Sequence, residues 1–186
     1  MRILGVSGSL RESSFNTSLL RAALEAAPDG VELELWEGLG ELPLYDEDLE
    51  HDAPESVQRL REAWAAADAI LFSTPEYNGS IPGGLKNAID WASRPRLEAV
   101  LRNKPVAVVG ASTGAFGAVW AQEELRKVLA ATGARLVEGA VAFGHAQERF
   151  DAEGRLVDEE LREQLAEVVD LLVASVRERQ LVAAAA

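Results

Sequence analysis

The chain has 186 residues, of which 48% are hydrophobic and 26% are charged, and its formal net charge is −13. This length suits one α/β domain with a buried core, and the negative charge makes nucleic acid or an anionic membrane surface an unfavourable partner. The sequence contains no cysteine, which excludes disulfides, thiolate catalysis and cysteine-based metal sites.

Short aliphatic runs alternate with longer amphipathic ones from the first residue to the last. The predicted strands are Arg2–Val6, Val31–Leu35, Ala69–Thr74, Pro105–Gly110 and Val137–Phe143. The predicted helices are Thr17–Ala27, Pro54–Ala67, Gly83–Trp91, Gly117–Thr132 and Glu159–Gln180. Residues 183–186 are expected to fray.

This alternation is typical of a parallel sheet with helices on both faces, joined by right-handed crossovers. We therefore predict a single α/β domain over residues 1–186, with three layers and a five-stranded parallel sheet in the order 2-1-3-4-5. No apolar span is long enough to cross a bilayer. Residues 1–6 run into a polar loop without the apolar region of a signal peptide, so the sequence predicts a cytoplasmic protein.

Three of the segments that follow strands are rich in small and polar residues: 7–18, 75–82 and 111–117. In the predicted order, strands one, three and four are neighbours. Ligands of open α/β sheets bind beyond the carboxyl ends of the strands, where the order reverses. We therefore expect these three loops to form one site.

The first loop, Ser7–Ser18, carries five serines, Asn16 and Thr17, and Arg11 is its only cation. A helix that begins near Thr17 offers free backbone N–H groups to an anion, and Arg11 adds a charge-assisted bond. Because so acidic a chain repels anions at long range, a phosphate site has to be made locally in this way. The loop matches neither the Walker A motif nor GxGxxG. A phosphate site and a plain helix cap both remain possible at this point.

The second loop, Pro75–Pro82, has a proline at each end. Asn78-Gly79 supplies the positive φ values of a tight reversal, and Tyr77 offers an aromatic wall. A rigid turn with free N–H groups can bind the edge of a planar heterocycle. For Glu76, a structural cap or ion pair is favoured over an acid/base role.

Other conspicuous side chains have ordinary structural interpretations. His51 and His145 are expected to be surface or local hydrogen-bonding residues, and no spacing of His, Asp or Glu suggests a metal site. The predicted helices contain three tryptophans, Trp64, Trp91 and Trp120. Either all three are core residues, or one of them lies at a contact between subunits.

Gly8–Asn16 (GSLRESSFN) and Pro75–Trp91 (PEYNGSIPGGLKNAIDW) together resemble the NADPH-dependent FMN reductase family. This is a flavodoxin-like group that includes quinone, chromate and azo-dye reductases, and the resemblance covers nearly the whole chain. It implies a flavodoxin-like fold, non-covalent FMN, and NADPH or NADH as co-substrate. It also implies ping-pong hydride transfer through FMN to a small acceptor: a flavin, quinone, azo compound or metal oxyanion. A homodimer or homotetramer is typical of such proteins.

The resemblance also assigns site residues. It places the FMN phosphate on the first loop, at Ser9, Arg11, Ser13, Asn16, Thr17 and Ser18. It places the flavin ring between the second and third loops, at Pro75, Glu76, Tyr77, Asn78, Ser112, Thr113 and Gly114. No residue is assigned as catalytic because the flavin carries the chemistry. Arg11 has a second possible ligand, the 2′-phosphate of NADPH, and the sequence leaves that choice open.

Two other classes of protein share this topology. A non-catalytic flavodoxin-like electron carrier would have the same fold and phosphate loop, and the acidic surface suits it, but Pro75–Trp91 resembles the reductases. A phosphoacceptor signalling domain would need an acidic cluster after strand one and an Asp after strand three. The sequence has Ser7-Gly8-Ser9 and Pro75-Glu76 at these places, so we set that class aside.

Overall fold

The computed structural model describes residues 1–139 and 141–185. Strands and helices follow one another along the chain largely as the sequence predicts, with three short 3-10 turns in two of the connections. The strands are β1 (Arg2–Ser7), β2 (Glu32–Trp36), β3 (Ala69–Ser73), β4 (Pro105–Ala111), β5 (Arg135–Leu136) and β6 (Ala142–Phe143). The helices are α1 (Phe15–Glu25), α2 (Glu55–Ala66), α3 (Gly83–Ala92), α4 (Val119–Ala131) and α5 (Glu159–Ala184).

The strands pair in the order β2-β1-β3-β4-β5, and every pairing is parallel. The predicted order is therefore confirmed. Side chains alternate between the two faces of the sheet, as in any strand. Leu71 and Val109 point towards α1 and α5, whereas Phe72 and Val108 point towards α2, α3 and α4. These two buried layers confirm the predicted three-layer sandwich.

The prediction of one strand over Val137–Phe143 is wrong. Two short strands replace it, and both pair with β4: β5 near its beginning and β6 at its end. Between them Gly139 has φ +137°, which interrupts an extended strand. The guanidinium of Arg126, on α4, donates hydrogen bonds to the carbonyls of Val137 and Gly139 there, so the segment bends to reach α4.

All five helices differ from the prediction by one to four residues at one or both ends. Helix α1 begins two residues early, because the Ser14 hydroxyl caps it by accepting hydrogen bonds from the amides of Asn16 and Thr17. Helix α5 continues to Ala184, so residues 183 and 184 are helical where fraying was predicted, and residue 186 lies outside the described residues. Within the described residues, no helix is long and apolar enough to cross a membrane.

Lys104, which directly precedes β4, is a buried cation, only 6% exposed. Its ammonium donates hydrogen bonds to the carbonyls of Ala65, at 3.0 Å, and Ala67. It therefore caps the C-terminal end of α2, where the helix dipole favours a positive charge. Burial lowers the pKa of Lys104 to about 8; Arg179 lowers it further and Asp68 opposes the shift.

We expect this lysine to make stability depend on pH. Its pKa is lower in the folded chain than the ordinary value of 10.5, so the unfolded chain binds the proton more tightly, and stability rises between about pH 8 and 10.5. Relative to Lys104→Met, the free energy of unfolding of the unaltered protein should rise by about 1 kcal/mol per pH unit in this window. Urea unfolding of both proteins at several pH values measures this difference. A difference that stays constant from neutral to alkaline pH would contradict the prediction.

Candidate functional site

The carboxyl ends of β1, β3 and β4 are neighbours in the sheet, and the loops that follow them meet at this edge. A cavity of about 300 Å³ opens between them, and we call it the site cavity. All three loops contribute to its wall, so the predicted convergence is confirmed. The lining residues are Ser9, Arg11, Ser14, Phe15, Asn16, Pro75, Glu76, Tyr77, Ala111, Ser112 and Thr113.

Most of the residues assigned from the sequence line this cavity. The assigned residues outside its lining are Ser13, Thr17, Ser18, Asn78 and Gly114. Ser14, Phe15 and Ala111 line it without having been assigned. The N-cap signal of Ser14, a serine directly before an apolar helix, was the sequence feature that could have identified that residue.

Asn16 is buried in the first turn of α1 and ties the three loops together. Its side-chain amide group donates to the carbonyl of Ala111 at 2.9 Å. Its side-chain oxygen accepts from the Ser73 hydroxyl at 2.9 Å and from the Ala111 amide at 3.0 Å. Ser73 ends β3 and Ala111 ends β4. These bonds use the side-chain oxygen and one of the two N–H donors of the amide group, so Asn16 positions the loops.

The hydroxyl of Thr17 faces away from the site cavity. It donates to the Ser7 hydroxyl at 3.0 Å, and Ser7 Oγ accepts from the Ser9 amide at 3.3 Å. Thr17 and Ser7 line a second cavity, of about 230 Å³, on the β2 side of the first loop; Ser9 and Arg11 line both cavities. The hydrogen bond between Ser7 and Thr17 therefore fixes the shape of the first loop on the side that faces β2.

Ser18 lies further from the site cavity. It is buried, and its hydroxyl would be 2.9 Å from a Cβ added at Gly154, in the segment before α5. Its side chain therefore contributes to the packing between α1 and that segment.

Arg11 is exposed at the boundary of the two cavities. Its guanidinium lies over the Phe15 ring, 5.3 Å from the centroid. Within the described residues it forms no ion pair, although the chain is strongly acidic. The cation–π contact orients this guanidinium and leaves its N–H groups available to an anion.

The second loop forms the tight turn that its sequence predicts. Tyr77 and Ser80 exchange backbone hydrogen bonds of 3.0 and 3.1 Å across it. Asn78 has φ +55° and Gly79 has φ +73°, as in a type I′ turn. Tyr77 is 53% exposed and lines the site cavity, where it is placed to cover a planar ligand.

Glu76 has a structural contact, as the sequence favoured. Its carboxylate accepts a hydrogen bond of 3.2 Å from the Ala121 amide, in the first turn of α4. Residue Ala118, the N-cap of α4, has no side-chain oxygen to do this. Glu76 thus caps the helix from a neighbouring loop, where the helix dipole favours a negative charge.

The third loop is held by the segment that follows β6. The Ser112 amide donates to the Phe143 carbonyl at 3.0 Å. The amides of Ala146 and His145 donate to the carbonyls of Ser112 and Gly114, each at 3.0 Å. The Ser112 amide is therefore occupied. The side chains of His145 and His51 are exposed, as predicted.

The donors that the three loops leave free suit FMN. Within the described residues, the Asn78 amide and the Ser13 hydroxyl have no hydrogen-bond partner. Together with Arg11 and the first turn of α1, they offer hydroxyl, amide and guanidinium donors to a phosphate and to the edge of a ring. No group of His, Asp or Glu in the described part of the chain has the arrangement of a metal site.

The family model described as NADPH-dependent FMN reductase matches residues 1–148. The chain belongs to the NADPH-dependent FMN reductase family. This confirms the family inferred from the two sequence motifs and, with it, an oxidoreductase that depends on FMN and NAD(P)H.

Members of this family resemble the chain over almost their full length. An NAD(P)H-dependent FMN reductase of Pseudomonas aeruginosa is 45% identical over 179 residues, which cover 95% of this chain and 96% of that protein. A 2-hydroxy-1,4-benzoquinone reductase of a Burkholderia species is 41% identical over 181 residues, covering 97% and 98%. The solved structure of FerB, an NAD(P)H:(acceptor) oxidoreductase from Paracoccus denitrificans, superimposes with a TM-score of 0.84 at 38% identity, covering 95% and 97%.

Proposed function

We propose that the chain is a single FMN-binding domain that passes reducing equivalents from NADPH or NADH, through FMN held in the site cavity, to a small acceptor. The observation that carries this proposal is the convergence of three loops on one cavity at the carboxyl edge of the sheet, with the Arg11 guanidinium, which forms no ion pair within the described residues, in its lining. Bound FMN supplies the hydride chemistry, and the protein supplies position and electrostatics.

Within this proposal, the phosphate lies against the first loop. Ser9, Ser13, Arg11 and the amides at the start of α1 are its donors, since a helix N-terminus favours an anion. Asn16 positions these donors through its bonds to β3 and β4. Thr17 and Ser18 do not contact the phosphate. Thr17 supports the loop through its hydrogen bond to Ser7, and Ser18 supports it by packing against the segment before α5.

The ring lies between the second and third loops. Tyr77 covers it, the free Asn78 amide bonds its polar edge, and Pro75 and Thr113 form its walls, with Glu76, Ser112 and Gly114 holding the two loops in place. A preorganised amide such as that of Asn78 would favour a ligand edge that carries negative charge, because the hydrogen-bond donor is already oriented.

The acceptor that we favour is a quinone. Several relatives are named quinone reductases, among them the Burkholderia protein and one from Pseudomonas putida that is 44% identical over 155 residues. Tyr77 offers an exposed aromatic surface at the cavity against which a flat acceptor can stack.

We also propose that the protein is a homodimer or homotetramer in the cytoplasm, where reduced nicotinamides are available. Phe116 and Trp120 support the oligomer. Phe116 lies in the third loop and Trp120 in the first turn of α4; their ring centroids are 5.1 Å apart, and the side chains remain 63% and 50% exposed. Exposed aromatic side chains of this size are typical of protein contacts, while Trp64 and Trp91 are core residues.

Anaerobic reduction tests the proposed activity. NADPH or NADH is mixed with the FMN-loaded protein, and the visible absorbance of oxidised flavin is followed. We expect rapid bleaching by at least one nicotinamide, and recovery of the absorbance when benzoquinone is added. An absorbance that NADPH and NADH leave unchanged would support the electron carrier instead.

The variant Arg11→Gln distinguishes between the two possible ligands of Arg11, the phosphate of FMN and the 2′-phosphate of NADPH. If the guanidinium binds the flavin phosphate, the Kd for FMN rises about tenfold, as expected for a lost charge-assisted hydrogen bond. If it binds the 2′-phosphate of NADPH, the KM for NADPH rises and the KM for NADH does not. Arg177→Gln removes one exposed arginine from α5 and serves as the control for net charge. If FMN affinity and both KM values are unchanged, Arg11 is not part of the site.

A further inference from the structure

A further opening, larger than the site cavity and separate from the cavity on the β2 side of the first loop, lies between α3 and α4. We call it the α3–α4 cleft; its volume is about 520 Å³. It extends along α3 to the C-terminal ends of both helices, and no residue in its lining also lines the site cavity. The lining residues are Lys86, Ile89, Asp90, Ser93, Arg94, Arg96, Ala99, Arg102, Val128, Ala131, Thr132 and Gly133.

The charge of this cleft is opposite to that of the protein. Its lining includes four cationic side chains and one carboxylate, in a chain with a net charge of −13. Lys86 neutralises the carboxylate, because its ammonium lies 2.7 and 2.8 Å from the two oxygens of Asp90. The positive charge that remains belongs to the arginines.

Two of these arginines have no acidic partner. In the described part of the chain, neither Arg96 nor Arg102 forms an ion pair, whereas Arg94 lies 3.6 Å from Glu50. Glu98, on the same loop, does not line the cleft. Burial lowers the pKa of Arg61, and Glu98 opposes that shift.

One of the two unpaired arginines, Arg102, is held in place by contacts with its surroundings. Arg102 donates to the carbonyl of Arg96 at 3.3 Å, and its stem lies 3.8 Å from the Cβ position of Gly133. The neighbouring Asn103 amide donates to the Gly133 carbonyl at 2.8 Å. These contacts tie the loop after α3 to the end of α4. The Arg102 guanidinium is therefore held against the loop that carries Arg96, and both arginines line the cleft.

We propose that the α3–α4 cleft binds a small organic phosphate, with the phosphate on Arg96 and Arg102 and the organic body against Ile89 and Val128. Two or more guanidinium groups suit a phosphate better than a carboxylate, because one planar fork already satisfies both oxygens of a carboxylate. The volume is within the usual range of small-molecule sites, and the wall combines apolar and polar groups as such sites do. This inference goes beyond the proposed function, since the cleft shares no residue with the site cavity.

Calorimetric titration of the FMN-loaded protein tests the proposal, with adenosine monophosphate, inorganic phosphate and adenosine as the three probes. We expect adenosine monophosphate to bind most tightly, inorganic phosphate weakly, and adenosine not at all. The double variant Arg96→Gln, Arg102→Gln should weaken the binding of adenosine monophosphate about tenfold for each arginine removed.

The matched control is Lys127→Gln, Arg177→Gln, which removes two exposed cations that form no ion pair within the described residues. It changes the net charge equally and should bind adenosine monophosphate like the unaltered protein. The proposal is overturned if adenosine monophosphate does not bind at millimolar concentration, or if the Arg96/Arg102 variant binds it as well as the control does. A third outcome also overturns it: the Arg96/Arg102 variant has a lower mass in solution than both the control variant and the unaltered protein, and the unaltered protein binds no phosphate. In that case the cleft is a contact between copies of the chain.

Discussion

Asn16→Ala is expected to lower the free energy of unfolding by about 3 kcal/mol, and the protein should lose most of its affinity for FMN. The substitution removes three buried hydrogen bonds and leaves the Ser73 hydroxyl and both backbone groups of Ala111 without this partner. Since these bonds join the first loop to the ends of β3 and β4, their loss also separates the walls of the site cavity. Urea unfolding of the FMN-free protein and fluorescence titration with FMN measure the two effects separately.

Ser13→Ala is the matched control. Ser13 lies on the same loop, is exposed, and forms no hydrogen bond in the described part of the chain. Its removal should leave the unfolding free energy nearly unchanged and weaken FMN binding only through the phosphate. If Asn16→Ala unfolds at the same urea concentration as Ser13→Ala, the Asn16 side chain does not hold the three loops together.

Gly144→Ala is expected to destabilise the protein by about 3 kcal/mol, because the new methyl group meets backbone that cannot move independently. An added Cβ would lie 2.2 Å from the carbonyl oxygen of Ala115, far inside van der Waals contact. The third loop and the segment after β6 are joined by three backbone hydrogen bonds around this point. Relief of the overlap therefore has to break some of them. Thermal unfolding and FMN titration measure the consequence.

Gly114→Ala provides the comparison for stability. The nearest atom to its added Cβ is the Ser112 hydroxyl oxygen, at an ordinary 3.6 Å, so its melting temperature should stay close to that of the unaltered protein. Equal melting temperatures for the two alanine variants would show that the third loop moves freely away from β6.

The sheet order and the place of the site were predictable because they depend on periodicity. Buried strands such as β3 and β4 show as aliphatic runs, and the rule that ligands bind beyond parallel strands then selects the loops. The split of the last predicted strand was not predictable, because it depends on Arg126, which reaches the carbonyls of Val137 and Gly139 from another helix. A run of apolar residues does not show which carbonyls a distant side chain will bind.

The residues near the site were predictable, but the roles of several were not. The family resemblance placed Asn16 at the phosphate; its hydrogen bonds to Ala111, 95 positions away in the chain, could not be predicted from the local sequence. Glu76 was favoured as a cap, but the helix that it caps, α4, begins more than 40 residues later. Local sequence identifies a polar side chain that needs a partner, and only the folded chain decides whether that partner is protein or ligand.

The two edges of the sheet have a consequence for how the protein can associate. On one edge, β2 carries Glu32 and Glu34, so an incoming strand would meet carboxylates. On the other edge, β5 and β6 offer two residues each, separated by the bend at Gly139. Charged and interrupted edges prevent sheets from extending from one molecule to the next. Both edges of the sheet therefore disfavour strand pairing between molecules, which leaves the helical faces and the loops as the surfaces on which another molecule can pack.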